Sequence, residues 1–471
     1  MNIALKKKSD NLKTIRSIFT NKRVLSALFL TIFILLLYHL GTMLSLPGVE
    51  LPEGYQINHS SFTSMLNLLS AGGLDHMSIF AIGLGPYITT QIIVQLLSSD
   101  LIKPLTNMAK SGEAGKRKLE IVTRLATLPF CLIQSYTTIA LLLHSGKDGS
   151  STGIKIFGVT ELAQLGIDKI FLLMLLLSAG TYIAIFFSDI ITKRGIGNGI
   201  SSLILIGIIS NIVPNFNYVY QIIIMQLSDQ GERFSMVFSL ILYTAFFVIL
   251  IVVLIWINGS VRKIPVQQVG EGLIKDQKEL PFLPIKLISA SVIPIIFASS
   301  LLTIPGTIAQ FFPNNETRWF IEQWLTLDSW AGIALYFLAT ILFTFFYSYV
   351  QINPELMAEN FQKSGRFILG VRMGEDTVKH ITKVLNRVNW IGGPMLAAIA
   401  VLPFILSITT HIPSGMALGG TGIIIMVSAS LEFWYALKST STTSGYNVVK
   451  KSIKNANYVN NLKNDKVAQL W

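Results

Sequence analysis

Charge is what this sequence has least of. Asp, Glu, Lys and Arg make up 13% of its 471 residues, against about 25% in a soluble domain. Hydrophobic residues make up 51%, and the mean hydropathy is +0.58. That balance excludes an ordinary cytosolic enzyme and a disordered chain, because too little polar surface is left to keep a fold of this size in water. Cysteine is nearly absent. A lone Cys131 excludes an intrachain disulfide, a secreted disulfide scaffold and any multi-cysteine metal site. Catalytic signatures are missing as well: there is no G-x-x-x-x-G-K-[ST], no H-E-x-x-H and no G-x-S-x-G. Gly112-Glu-Ala-Gly115-Lys116 has the wrong spacing for a phosphate loop, and Gly195-Ile-Gly197-Asn198-Gly199 follows no strand. The expectation is no catalytic residue, no cofactor and no metal.

What the chain does have is apolar runs. The first five are Val24–Leu46, Ser78–Leu97, Ile121–Leu143, Ile170–Ile190 and Gly197–Val213. The second five are Met236–Ile257, Leu287–Ala309, Ala331–Gln351, Val388–Ile408 and Ala417–Leu437. At 1.5 Å per residue each is about long enough to cross ~30 Å of hydrocarbon. The runs are continuous rather than alternating, so the spanning elements are helices. The first run is too long for a cleaved signal peptide, and no A-x-A site follows it. The expected fold is an all-α polytopic membrane protein with ten transmembrane helices in two pseudo-symmetric five-helix halves. Residues 1–23 form a basic tail, 24–213 the first half, 214–235 an external hinge loop, 236–437 the second half and 438–471 a C-terminal tail.

Charge sets the orientation. Thirty Lys and Arg fall in the two tails and the even-numbered loops, and five in the loops opposite. By the positive-inside rule both termini are cytoplasmic. The net charge of +12 is then one basic face, fit for anionic lipid or for an acidic or nucleic-acid-bearing partner. The spans themselves hold almost no ionisable group. An ionisable residue near the bilayer centre costs at least ~2.5–3.5 kcal/mol and usually marks an ion or proton path. His39, Asp189 and Glu432 lie in spans, all toward their ends, and Arg124 sits at the end of the third run; His39 reads as a hydrogen-bonded structural residue. A ten-helix secondary transporter of a small solute is the alternative reading, and it lacks the midplane charges it would need.

Four features remain. Residues 62–74 (FTSMLNLLSAGGL) are too short to span and end in Gly72-Gly73, a potential hinge. They are either an interfacial helix or a re-entrant segment buried in the protein. Pro86 and Pro294 lie inside spans 2 and 7, where proline kinks a helix. Gln95 is an uncharged polar group deep in span 2, suited to an interhelical hydrogen bond. The loops 258–286 and 353–387 are too long and too charged for simple connectors.

Eight stretches, in order, resemble the SecY family, the channel-forming subunits of the bacterial protein-export translocase. They are Ser78-Ile-Phe-Ala-Ile-Gly-Leu-Gly-Pro-Tyr-Ile, Gly112-Glu-Ala-Gly-Lys-Arg-Lys, Arg194-Gly-Ile-Gly-Asn-Gly-Ile-Ser, Arg262-Lys-Ile-Pro-Val-Gln, Val292-Ile-Pro-Ile-Ile-Phe-Ala-Ser-Ser, Asn353-Pro-Glu, Lys363-Ser-Gly and Gly419-Gly-Thr. The resemblance implies a protein-conducting channel in the bacterial cytoplasmic membrane rather than an enzyme. It implies a pore ring of Leu84, Ile88, Ile200, Ile204, Ile296 and Ile425, with Ile424 turned about 100° away on the same helix. It implies a plug at 62–74, including Phe62, Met65, Leu66, Leu68, Leu69, Gly72 and Gly73. Gln95 would lie in a lateral gate between spans 2–3 and 7–8, and Arg262, Lys263 and Arg372 in loops that dock a motor or ribosome. The implied partners are SecE, SecG, the SecA ATPase, the ribosome, signal-sequence-bearing clients and lipid. The chain departs from the family at Ile368-Leu-Gly-Val-Arg372-Met-Gly374, which lacks two usual prolines. It also has Lys193 for a usual Glu and His39 for a usual Arg. These departures leave room for a divergent or accessory member.

The charge asymmetry makes a direct prediction. A reporter active only outside the cytoplasm is expected to be silent when fused after Lys118, Lys286 or Lys383, and active after Glu53, Arg233 or Ser414. Activity at Lys286 would break the ten-span topology.

Overall fold

The computed structural model describes residues 21–50, 66–67, 69–99, 102–144, 155–159, 164–221, 230–268, 281–288, 293–309, 320, 324–325, 329–410, 422 and 424–441. Phe62, Met65 and Leu68 of the expected plug, the Gly419-Gly-Thr motif and most of both tails lie outside the described residues. Helices occupy all ten apolar runs. They are α1 (Lys22–Thr42), α2 (Gly85–Ser98), α4 (Gly112–His144), α5 (Ile167–Arg194), α6 (Gly199–Gln221), α7 (Gln230–Gly259), α8 (Ile293–Ala309), α9 (Trp330–Ile352), α11 (Glu375–Thr410) and α12 (424–441). Two connecting helices, α3 (Lys103–Lys110) and α10 (Pro354–Lys363), lie between them. By length and apolar composition alone, Lys22–Thr42, Ile167–Arg194, Trp330–Lys363 and Glu375–Leu406 are the described stretches that suffice to cross a membrane.

The helices bury one side and leave the other apolar, as lipid-facing helices do. On α1 the buried positions Val24, Thr31, Ile34, Tyr38 and Thr42 follow helical spacing. Leu25, Phe29, Phe33, Leu36 and Leu40 lie exposed on the far side. Within the second half α9 packs along α11 and against α8. Edge-to-face pairs of Phe297 with Phe343 and Tyr347 join α8 to α9, each worth about 0.5–1.5 kcal/mol beyond its buried area. Across the halves α2 meets α8; within the second half Asn258 Nδ2 of α7 donates to Ser428 Oγ of α12 at 3.5 Å.

Three boundaries differ from the sequence expectation. Span 2 begins as turns: residues 70–84 are non-helical and α2 starts only at Gly85. The cause is backbone geometry, since Ala71, Gly72, Met77 and Gly83 all have positive φ, which a right-handed helix cannot contain. Pro86 consequently sits in the first turn of α2, where its missing N–H costs nothing and it kinks nothing. Pro294 is likewise the second residue of α8, while Pro305 is the one inside that helix. Finally, α6 and α7 run into the expected hinge 214–235, so the two helices are separated by 222–229, outside the described residues.

The loops hold strands that the apolar pattern did not signal. Val49–Glu50 (β1) pairs antiparallel with Lys155–Ile156 (β2). More consequentially, Val261–Gln268 (β3) pairs with Phe282–Lys286 (β4) on one side and Arg366–Ile368 (β5) on the other. The two charged loops therefore share one three-stranded sheet. Its inner face carries Ile264, Val266, Ile285 and Ile368 onto Ile381 and Leu385 of α11. The Asn353-Pro-Glu stretch works locally: the Asn353 side chain accepts from Leu356 N, and Pro354 and Glu355 open α10, a cap with its preferred residues.

Candidate functional site

The Gly195–Gly199 turn sets the start of α6. Gly195 N closes α5 onto Ile191 O at 2.8 Å, Gly197 has φ +81°, and Asn198 Oδ1 accepts from Ile200 N at 3.1 Å. Gly199 lies so close to α5 that a Cβ would come within 1.9 Å of Ser188 O. Thr31 Oγ1 of α1 accepts from Ile196 N at 3.0 Å, tying the turn to the first helix. One turn apart, Ile200 and Ile204 then share a face of α6. Leu84 and Ile88 do the same at the start of α2, joined by Ile88 N to Leu84 O at 3.0 Å.

Leu84, Ile88, Ile204, Ile296 and Ile425 belong to one buried apolar cluster, with Ile200 half-buried against it. Four helices converge on it. Ile424 is buried in the same cluster; α12 is enclosed on that turn, so both neighbours pack inward and the expected contrast between them is not found. Of the plug residues, Leu66, Leu69, Gly72 and Gly73 are described. Leu69 and Ala71 join the cluster that holds the ring residues. Leu66 and Leu74 join a second one with Leu46, Met77, Ile139 and Leu173. The segment thus ties two apolar clusters together.

Backbone hydrogen bonds close locally around it, while the buried Asn67 Oδ1 accepts none. Gly72 N donates to Asn67 O, Ser78 N to Gly73 O, Leu46 N to Met77 O and Leu84 N to Leu69 O. Asn67 Nδ2 donates to Asp75 Oδ2 at 2.5 Å.

Gln95 is half-buried on α2, the helix that meets α8. Its Oε1 is buried and accepts no hydrogen bond.

The three ionisable residues noted in the spans behave differently from one another. His39 Nδ1 lies 3.1 Å from Ser210 Oγ, and Ser210 Oγ donates to Ile206 O. The hydroxyl proton being committed, the imidazole is the donor in this pair, a link between α1 and α6. Asp189 Oδ2 accepts from Arg124 Nη2 at 2.5 Å, and Arg124 also pairs with Glu120. Sequence reading had Arg124 and Asp189 but neither Glu120 nor the pairing; the signal was their place at the same ends of neighbouring runs. Glu120, Asp189 and Glu432 line a cavity of about 370 Å³ with Leu84, Tyr87 and Ile200. A cavity with three carboxylates therefore borders Leu84 and Ile200 directly.

Arg262, Lys263 and Arg372 are all exposed. Lys263 Nζ sits 4.6 Å above the Phe282 ring across the β3–β4 pair. Arg372 follows β5 in a turn held by Val371 N to Ile368 O at 3.1 Å and Thr377 Oγ1 to Arg372 O at 2.8 Å. Hydrogen bonds thus supply the order that the missing prolines would have given. Lys379, His380 and Lys383 of α11 line the same shallow groove as Arg372.

Comparison with known proteins agrees with this arrangement. The SecY family model matches residues 78–434. A protein named "Protein translocase subunit SecY" from Mycoplasmoides gallisepticum is 45% identical, over 96% of this chain and 89% of its own. Its namesake from Mycoplasma pneumoniae is 43% identical, over 96% and 93%. The solved structure described as "The structure of a protein conducting channel" superposes with TM-score 0.61 at 18% identity, covering 89% of this chain and 93% of that one. A second is described as "The plug domain of the SecY protein stablizes the closed state of the translocation channel and maintains a membrane seal". It superposes with TM-score 0.61 at 19% identity, covering 89% and 92%. Fold and site together define a polytopic, all-helical membrane channel for polypeptides. The chain belongs to the SecY family and is the central channel subunit of a protein translocase.

A buried carbonyl oxygen without a donor costs about 1–3 kcal/mol. Gln95→Leu removes that cost on α2, so the purified protein is expected to unfold at a higher temperature. An unchanged or lowered midpoint would mean that Gln95 already finds a partner.

Proposed function

We propose that Leu84, Ile88, Ile200, Ile204, Ile296 and Ile425 form the constriction of the channel, that 62–74 is its plug, and that the α2–α8 contact is its lateral gate. The observation that carries this reading is that ring residues and plug residues share one buried apolar cluster drawn from separate helices. Aliphatic side chains seal by shape and dewetting. They make no directional bond, so they can close around an extended polypeptide of any sequence. At the gate, a client segment exposed to lipid partitions by its own hydrophobicity, with Leu, Ile, Phe and Val each contributing about 0.3–0.6 kcal/mol. The buried Gln95 Oε1, which accepts no hydrogen bond, favours separation there, because opening lets it find water.

The chain conducts passively in this reading, and the driving energy comes from SecA or from ribosomal elongation. SecE and SecG are its membrane partners. A solved structure described as "Sec61 in the Canine ribosome-channel complex from the endoplasmic reticulum" shares the fold at TM-score 0.59. Arg262 and Lys263 on β3 and Arg372 after β5, joined in one sheet, would meet the motor or ribosome. Both termini and this sheet would face the cytoplasm, as the charge asymmetry requires.

Two substitutions test the reading. Ile425→Asn puts an amide in the ring, where it lowers the cost of wetting. Resting conductance in planar bilayers is expected to rise and clients with weakened signal sequences to pass, while Ile425→Val stays tight. An Asn variant as tight and selective as the parent would remove α12 from the ring. Arg372→Glu is expected to reduce motor-driven export strongly with unchanged membrane levels. Full translocation by that variant would make Arg372 a topology charge and nothing more.

A further inference from the structure

A non-helical segment can sit at membrane depth only where neighbouring helices leave room for its backbone. In the 66–74 segment the non-helical turn 70–74 obtains that room from one face of α6. A Cβ on Gly207 would fall 2.2 Å from Ala71 Cα and 2.3 Å from Ala71 Cβ, nearer than any real side chain approaches. One turn on, Asn211 Oδ1 lies 3.0 Å from where a Cβ on Gly72 would be. Gly207 and Asn211 are four residues apart and therefore share a face. Both meet a turn whose Ala71 and Gly72 have φ of +58° and +82°. Ala71 is buried in the ring cluster, so it cannot retreat toward solvent. Behind the same helix, Ser210 is held to His39 of α1, and Ile204 of the ring stands on the turn before Gly207.

We propose that Gly207 and Asn211 form a seat on α6 for the 66–74 segment, and that the fit of this seat sets how readily the channel opens. The proposal rests on the reading of 62–74 as the plug and names the residues that hold it. A snug seat raises the free energy a signal sequence must supply; a spoiled one lowers it. Gly207 and Asn211 are thus positioning residues that tune client stringency without touching the client.

Gly207→Ala makes the seat too small, and Asn211→Ala removes atoms without creating any clash. Resting ion conductance in planar bilayers is expected to rise on the order of tenfold for Gly207→Ala, since overpacking and cavity formation both displace such equilibria measurably. It is expected to rise in the same direction and by less for Asn211→Ala. Export of a reporter with a defective signal sequence should rise in parallel. Gly392→Ala is the control, because its Cβ would come within 2.3 Å of Leu287 O, a clash as severe but remote from the plug. It is expected to lower the amount of protein without adding leak. Each variant is then combined with deletion of 62–74. A seat acting through the segment has nothing left to act on, so in that background the variants should match the deletion alone.

The outcomes separate. If the deletion leaks while both point variants stay as tight as the parent, the seat is wrong and the plug reading stands. If the variants leak equally with and without 62–74, they act elsewhere and the proposal fails. If the deletion itself is as tight as the parent, the plug reading fails and the seat with it. Should Gly207→Ala not accumulate in the membrane, Asn211→Ala decides alone by the same criteria.

Discussion

The stretch 70–84 must keep its backbone away from lipid, because unsatisfied N–H and C=O groups cost several kcal/mol each in hydrocarbon. It makes no helix, so it closes its hydrogen bonds through turns and through bonds to its own flanks, Leu84 to Leu69 and Leu46 to Met77 among them. Much of the neighbouring architecture serves to enclose it. α6 gives up a side chain at Gly207, and α5 gives one up at Gly180, where a Cβ would come within 2.0 Å of Ile79 O. Leu69 and Ala71 then lie against the aliphatic residues of α2, α6, α8 and α12. In the proposed reading, this non-spanning segment wrapped by spanning helices is what closes the pore.

On one flank of this arrangement the chemistry is polar. The cavity of Glu120, Asp189 and Glu432 touches Leu84 and Ile200 directly, so carboxylates and aliphatic side chains meet within a few residues. Arg124 holds Glu120 and Asp189 while Tyr182 OH donates to Arg124 O at 2.7 Å, which fixes α4 against α5. Beyond the bundle, the β4–β3–β5 sheet couples the two charged loops, so a force applied to one is passed to the other through backbone hydrogen bonds.

The helical runs were legible because lipid-facing segments are apolar on every side, and continuity is a strong signal. The class and the family followed from composition and motif order. The start of span 2 was not legible, since positive φ at Ala71 and Met77 leaves no mark on residue type. The three-stranded sheet was hidden because β5 comes from a different loop than β3 and β4. Gly207 sits in an apolar run where glycine reads as neutral, and only its approach to Ala71 reveals its use. Arg124 and Asp189 were visible as isolated charges; their pairing needed two helices side by side.

The central claim is that an extended polypeptide passes through the aliphatic ring. A photoreactive amino acid placed at Ile204 or Ile296 tests it most directly, with an arrested secretory chain as the target and Leu338, exposed on α9, as the comparison. The account predicts that the arrested chain is captured from both ring positions and not from Leu338. Capture from Leu338 with none from Ile204 and Ile296 would contradict it.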